Sequence, residues 1–178
     1  MRTRACARAA LLVGAIALPA AAQQPAPRVP RASQHGTVTQ GIGATTVSIS
    51  YNRPVARGRT LFGGIVKWGK VWCPGADSAT VISFSTDVTL NGTLVAAGEY
   101  SIWTIPDSTA WTMILSRAAH VFHLPYPEGQ DVLRFTVAPI TGTHMETLAF
   151  YFPAVDVREA KLYLHWGTTI VPMVIIGK

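Results

Sequence analysis

Apolar and polar side chains alternate with a period of two along most of this chain. Residues 45–51 set the pattern, with Val47, Ile49 and Tyr51 on one face and Thr46, Ser48 and Ser50 on the other, as a half-buried strand requires. Residues 80–85 repeat it through Ile82 and Phe84. Residues 88–90 and 93–95 flank Asn91-Gly92, a dipeptide that accepts positive φ at both positions and so closes a tight hairpin. Residues 99–105 and 111–115 make a second hairpin around Pro106-Asp107. Stretches 132–137, 147–152, 161–166 and 170–176 bring the total to nine or ten short strands. Pro172 belongs near an edge or a bulge of the last one, because it has no N–H to give a central ladder. The best helix signal is a turn or two around residues 60–68, weakened by Gly63-Gly64. The pattern predicts an all-β fold, a single antiparallel β-sandwich or jelly-roll-like domain with one long glycine-rich loop.

That loop, residues 51–77, is where the alternation stops. It gathers Arg53, Arg57, Arg59, Lys67 and Lys70 among Phe62, Trp68 and Trp72, with no acidic residue before Asp77. Arg53 precedes Pro54 and is therefore extended; Arg57-Gly58-Arg59 can bend sharply. Guanidinium groups held in a loop can clasp a carboxylate, sulfate or phosphate through paired hydrogen bonds. They can equally satisfy backbone carbonyls, or bridge to a carboxylate such as Asp77 and lock the loop onto the sheet. Trp68 and Trp72 suit stacking on a sugar ring, or capping the end of the sandwich. Trp103 and Trp111 occupy strand positions and are expected in the core. The candidate ligand-binding residues are Arg53, Arg57, Arg59, Trp68, Trp72 and Asp77.

The front of the chain changes the charge balance. Residues 1–22 read as a secretory signal: Arg2, Arg4 and Arg8, then an apolar run over 9–18, then Pro19 and small residues ahead of Gln23. The run falls short of the roughly 20 residues a membrane helix needs, and no later stretch is a membrane span. Residues 23–33, with three prolines, read as a flexible leader, leaving 34–178 as one domain. Three of the 15 basic residues depart with the signal, so 12 face 9 acidic ones. All seven basic residues from Arg28 to Lys70 precede the first acid, and the nine acids follow. Such a polarised field favours an anionic ligand or surface, or is simply a solvated face. One cysteine, Cys73, remains after the signal, which excludes an internal disulfide.

With the strands laid out, YNRPVARGRTLFGG, KWGKVWCPGADSAT and the AAGEYSIWTIP–WTMIL pair together resemble the bacterial family catalogued as domain of unknown function 2911, from about Ala32 to the C-terminus. The resemblance implies an exported bacterial protein with a β-rich domain, and it implies no activity. Where it leads one to expect Trp-Arg-x-Gly-Ala-Asn, the chain has Trp72-Cys73-Pro74-Gly75-Ala76-Asp77.

Other chemistry is thinly signalled. Cys73 could be a nucleophile if nearby cations lowered its pKa, but free cysteines are among the most buried residues. His120 and His123 are closely spaced, yet two imidazoles fall short of a zinc ligand set, so neither metal nor cofactor is expected. No nucleotide loop or hydrolase elbow is present, and the basic residues match no nucleic-acid module. The expected function is non-catalytic binding of a carbohydrate or an anionic envelope ligand by an exported protein, in the periplasm or outside the cell. The alternatives are a hydrolase-type enzyme using the Arg/Asp/Cys loop at 51–77, and a purely structural envelope protein.

Overall fold

Two antiparallel sheets make up the domain. One holds β1 (Gln34–Ile42), β2 (Thr45–Arg53), β3 (Val81–Phe84), β6 (Gly98–Ile105), β7 (Trp111–Ser116) and β8 (Asp131–Val137), in the order β1-β2-β3-β6-β7-β8. The other holds β4 (Val88–Leu90), β5 (Thr93–Val95), β9 (Ile140–Val155) and β10 (Glu159–Ile176), in the order β5-β4-β10-β9. The computed structural model describes residues 31–178; the signal segment 1–22 and residues 23–30 of the leader lie outside the described residues. Among the described residues there is no helix, and residues 60–68 fold as linked turns.

The inner faces are those the alternation marks. Val47, Ile49, Tyr51, Ile82, Phe84 and Ile102 from the larger sheet pack against Leu148, Phe150, Leu162, Leu164, Val171 and Met173 from the smaller. The ring of Tyr51 meets Phe150 edge-on at 5.0 Å, and its hydroxyl accepts the Phe150 N–H at 3.0 Å. Asn91 and Gly92 both have positive φ, at 46° and 84°, and close the β4–β5 hairpin. Trp103 and Trp111 are buried.

Two features depart from the pattern reading. β1 is an additional strand, laid along the whole of β2 from Gln34↔Arg53 to Ile42↔Thr45. β9 and β10 are long, continuous strands, not shorter pieces. Gly167, at φ 58°, lies between two register shifts that carry β10 through a bulge. Pro172 falls between Ile170, which still pairs with Ile140 on β9, and Ile175, which pairs with Leu90 on β4. It sits where the ladder changes partner, so its missing N–H breaks nothing.

Candidate functional site

The excursion between β2 and β3 crosses the end of the sandwich and closes it. It first lies along β9: Ala56 N–H donates to Glu146 O at 2.7 Å and Leu148 N–H to Pro54 O at 2.9 Å. A compact turn follows, held by Ile65 N–H to Thr60 O and Val66 N–H to Leu61 O. Two adjacent glycines make it possible. A β-carbon on Gly63 would stand 2.5 Å from the Trp68 indole nitrogen, and one on Gly64 would stand 2.0 Å from the Thr60 carbonyl oxygen. The chain then reaches the larger sheet, where Trp72 and Thr104 exchange both backbone bonds at 2.7 and 2.8 Å. Inside, Phe62 contacts Trp72, Trp111 and Trp166 edge-on, while Trp72 stacks on Trp166 at 6.0 Å and 14°. The excursion is a plug on the end of the core.

The six residues singled out from the sequence do not converge. Arg53 donates Nε to Leu148 O at 3.2 Å, and Arg59 donates Nε to Ala56 O at 2.9 Å and Nη2 to Val55 O at 2.6 Å. Both therefore satisfy carbonyls of the excursion and of the strand under it. Asp77 is not their partner; its carboxylate faces Arg31 at 3.6 Å. Arg57 is exposed and takes positive φ, 51°, which turns its N–H onto Glu146 Oε1 at 2.6 Å. Trp72 is in the plug. Trp68 keeps 43% of its surface exposed and walls a shallow depression of about 360 Å³ with Arg59, Phe62, His144 and Trp166.

Glu146 is the clip that holds the excursion to β9. His144 at 2.9 Å, then the Arg57 N–H, hold its carboxyl below the ordinary carboxylate range. A carboxyl depressed in the folded state contributes stability above its unfolded pKa and loses it as pH falls through the folded value. The amide of Arg57 is accordingly expected to exchange faster as pH falls below the usual glutamate range, after correction for intrinsic exchange. In Glu146→Ala that protection should be low at every pH; a pH-dependent protection in the variant would assign it to another group.

A second, smaller core lies on the opposite face of the larger sheet. Cys73, Ala79, Trp103 and Ile114 are buried there, with Val121 and Tyr126 against them. Burial pushes the Cys73 thiol up to about 12, opposed only by a hydrogen bond with the Thr80 backbone, so it stays protonated and unavailable as a nucleophile. Trp103 Nε1 donates to Ser101 Oγ at 2.8 Å, and that hydroxyl donates to Ala118 O at 2.8 Å. Tyr126 meets Trp103 edge-on at 5.2 Å and donates its hydroxyl to Asp131, which also accepts Arg134 Nε at 2.6 Å. These contacts anchor segment 117–130. Its residues Val121, Phe122 and His123 are tied to 77–79 by Ala79 N–H to Val121 O, His123 N–H to Asp77 O, and a Ser78–Phe122 bridge.

Beside this anchored segment, the outer face of β1, β2 and β3, with Glu99 of β6, is open and forms the floor of a groove of about 1370 Å³. Registers align its side chains in rows. Thr37, Ser50 and Val81 form one row, which ends at Ser101, buried under the smaller core, and Thr39, Ser48, Ser83 and Glu99 form the next. Thr39 and Ser48 hydroxyls meet at 3.0 Å, and His35 Nε2 lies 3.4 Å from both Ser50 Oγ and Thr37 Oγ1. Asn52 spends its amide on Ala76 O at 2.8 Å. One wall carries His120, bonded to Glu99 at 2.7 Å, and Phe122, 58% exposed and packed on His123 at 4.6 Å. Arg31 and Ser33 line the groove as well. Sequence reasoning missed this place, although the signal was present in the Thr46, Ser48, Ser50 face. Among the described residues no cluster of His, Cys, Asp and Glu is arranged to hold a metal.

The fold and its open face define an all-β sandwich bearing a hydroxyl-lined groove. The chain belongs to the family described as protein of unknown function (DUF2911), whose model matches residues 33–175. No curated protein and no solved structure matches it. No helix of the described residues is long and apolar enough to cross a membrane.

Proposed function

We propose that the protein is an exported, non-catalytic binding domain whose ligand is a neutral, hydroxyl-rich carbohydrate held in the groove on the larger sheet. The observation that supports this reading is the patch of Ser48, Ser50 and Ser83 hydroxyls that lines the groove together with the exposed ring of Phe122. Serine and threonine hydroxyls both donate and accept, matching sugar hydroxyls of either polarity, and an aromatic face packs against the apolar face of a pyranose. The two charged side chains that line the groove each have a partner, Arg31 the Asp77 carboxylate and Glu99 the His120 ring, which favours a neutral ligand over an anionic one. A groove of about 1370 Å³ exceeds the usual small-molecule range and fits several linked sugar units. The signal-type segment 1–22 supports a location where envelope polysaccharides occur.

The test is a screen of neutral and acidic glycans and of inorganic anions against the purified protein. A neutral glycan is expected to bind, and Phe122→Ala should weaken it by at least about tenfold, the scale of a lost aromatic contact, with the unfolding midpoint unchanged. Arg57→Ala should bind as the parent does. Binding that survives Phe122→Ala, or that is confined to anions and abolished by Arg57→Ala, overturns the reading.

A further inference from the structure

A sandwich of two sheets has four edge strands, and natural proteins blunt such edges with brevity, charge, irregularity or a covering segment. Three of the four here are blunted. β5 has three residues. β9 is covered across its middle by the excursion through Ala56 N–H to Glu146 O and Leu148 N–H to Pro54 O. β8 carries Asp131 and Arg134, with a register irregularity at its Asp131 end. β1 has none of these devices. It runs nine residues in unbroken register with β2 and contains no proline, lysine, arginine, aspartate or glutamate.

The turn of the β1–β2 hairpin decides which of its groups face outward. Only Gly43 and Ala44 separate the paired residues Ile42 and Thr45, so that closing pair is a hydrogen-bonded one. By antiparallel alternation, Gln34, Gly36, Val38, Gln40 and Ile42 bond to β2, while His35, Thr37, Thr39 and Gly41 aim N–H and C=O away from it. The Gly41 carbonyl accepts Gln40 Nε2 at 2.9 Å. Among the described residues no backbone group meets those of His35, Thr37 or Thr39.

We propose that β1 pairs antiparallel with β1 of a second copy of this chain, about a two-fold axis perpendicular to the sheet, making one continuous sheet from the two larger ones. The strand's own chemistry selects that occupant. Without formal charge it meets its image with no like-charge repulsion, and threonines on neighbouring strands pair favourably. Antiparallel pairing also brings the Gln34 end, flanked by Arg31, Arg53 and Arg57, towards the other copy's Ile42 end. There Gly43 meets the backbones of Lys178 and Val157, at an end that carries Asp87, Asp156 and Glu159 with Arg158 and Lys178 among them. The preceding segment is a poor competitor, since Pro25, Pro27 and Pro30 fall on both strand parities and would break either side of a ladder. A two-fold axis perpendicular to the sheet leaves both grooves on the same face, with His35, Thr37 and Thr39 of both copies between them. Two grooves side by side would engage a polymer with a higher effective concentration than either alone.

The experiment is sedimentation velocity on the exported chain from low micromolar to about a hundred micromolar, with hydrogen exchange of the β1 amides. A dimer is expected, with the His35, Thr37 and Thr39 amides protected. Thr39→Pro removes one outward donor without touching the β2 ladder and should give a monomer. Should that variant fail to fold, Thr37→Lys with Thr39→Lys keeps the backbone intact and should give a monomer through like-charge repulsion. A protein that is monomeric throughout overturns the proposal, whether its β1 amides are exposed or are protected by residues 23–30; so does a dimer indifferent to these variants. Neither result bears on glycan binding, which a monomer can perform.

Discussion

Trp103→Ala is expected to lower stability by about 3–5 kcal/mol, the cost of deleting a large, fully buried aromatic. The ring is 1% exposed and organises the smaller core with Cys73, Ala79 and Ile114. Its indole N–H also begins the chain of hydrogen bonds through Ser101 Oγ to Ala118 O. Removing it therefore takes support from segment 117–130 as well as from the sheet. Two readouts should move together: the urea midpoint falls at nearly constant slope, and binding of any groove ligand weakens. Trp103→Phe keeps most of the ring area and lets Ser101 go on bonding Ala118, so its loss should be smaller, about 1–2 kcal/mol from the missing hydrogen bond and a modest cavity. A Trp103→Ala unfolding free energy within about 1 kcal/mol of the parent would show that the smaller core contributes little beyond covering the sheet.

Trp72→Ala is expected to cost about 3 kcal/mol, the lower end of the range for a large aromatic because the side chain is only half-buried. The effect should be local before it is global. Trp72 stacks on Trp166 and meets Phe62 and Trp111 edge-on, so without it the excursion keeps its backbone bonds to Glu146, Pro106 and Thr104 but loses its anchor in the core. Trypsin should then cut at exposed Lys67 and Lys70 well before Lys161, which lies within β10. The parent should resist at all three sites. Equal resistance of the variant would mean that the backbone bonds alone hold the excursion, and that the aromatic contacts are incidental to it.

The two tryptophan sites illustrate what could be read from the chain. Trp103 and Trp111 fell at strand positions and are core residues, because strand alternation fixes which side a residue faces. Asn91-Gly92 announced its hairpin through backbone preference alone. β1 was illegible because only Val38 and Ile42 along it are large and apolar; it is a strand because β2 offers it a ladder. The long β9 and β10 read as shorter segments for a related reason. Gly167 and the threonines after it interrupt the pattern, and only pairing across the bulge carries the strand through.

The arginine-rich excursion shows the limit more clearly. Sequence offered Arg53, Arg57, Arg59, Trp68, Trp72 and Asp77 as one constellation. The route of the chain disperses them, because guanidiniums bond to whichever carbonyls the fold brings near. Glu146, the carboxylate that clips the excursion, lies some ninety residues away from Arg57 along the chain. The groove was half legible: its Ser48 and Ser50 floor is a polar strand face, but its wall comes from residues 117–123.

What the sequence determined by itself is therefore the local part. Period-two alternation and turn chemistry set the all-β class and the inward faces, since both depend on neighbours in the chain. The tertiary structure decided everything that depends on long-range pairing. It kept residues 51–53 of the expected loop in β2, made residues 54–72 a plug, put Cys73 under a second core, left β1 as an open edge, and assembled a groove. Hydrogen-bond registers and loop paths follow from the global packing of two sheets, a property that no window of sequence contains.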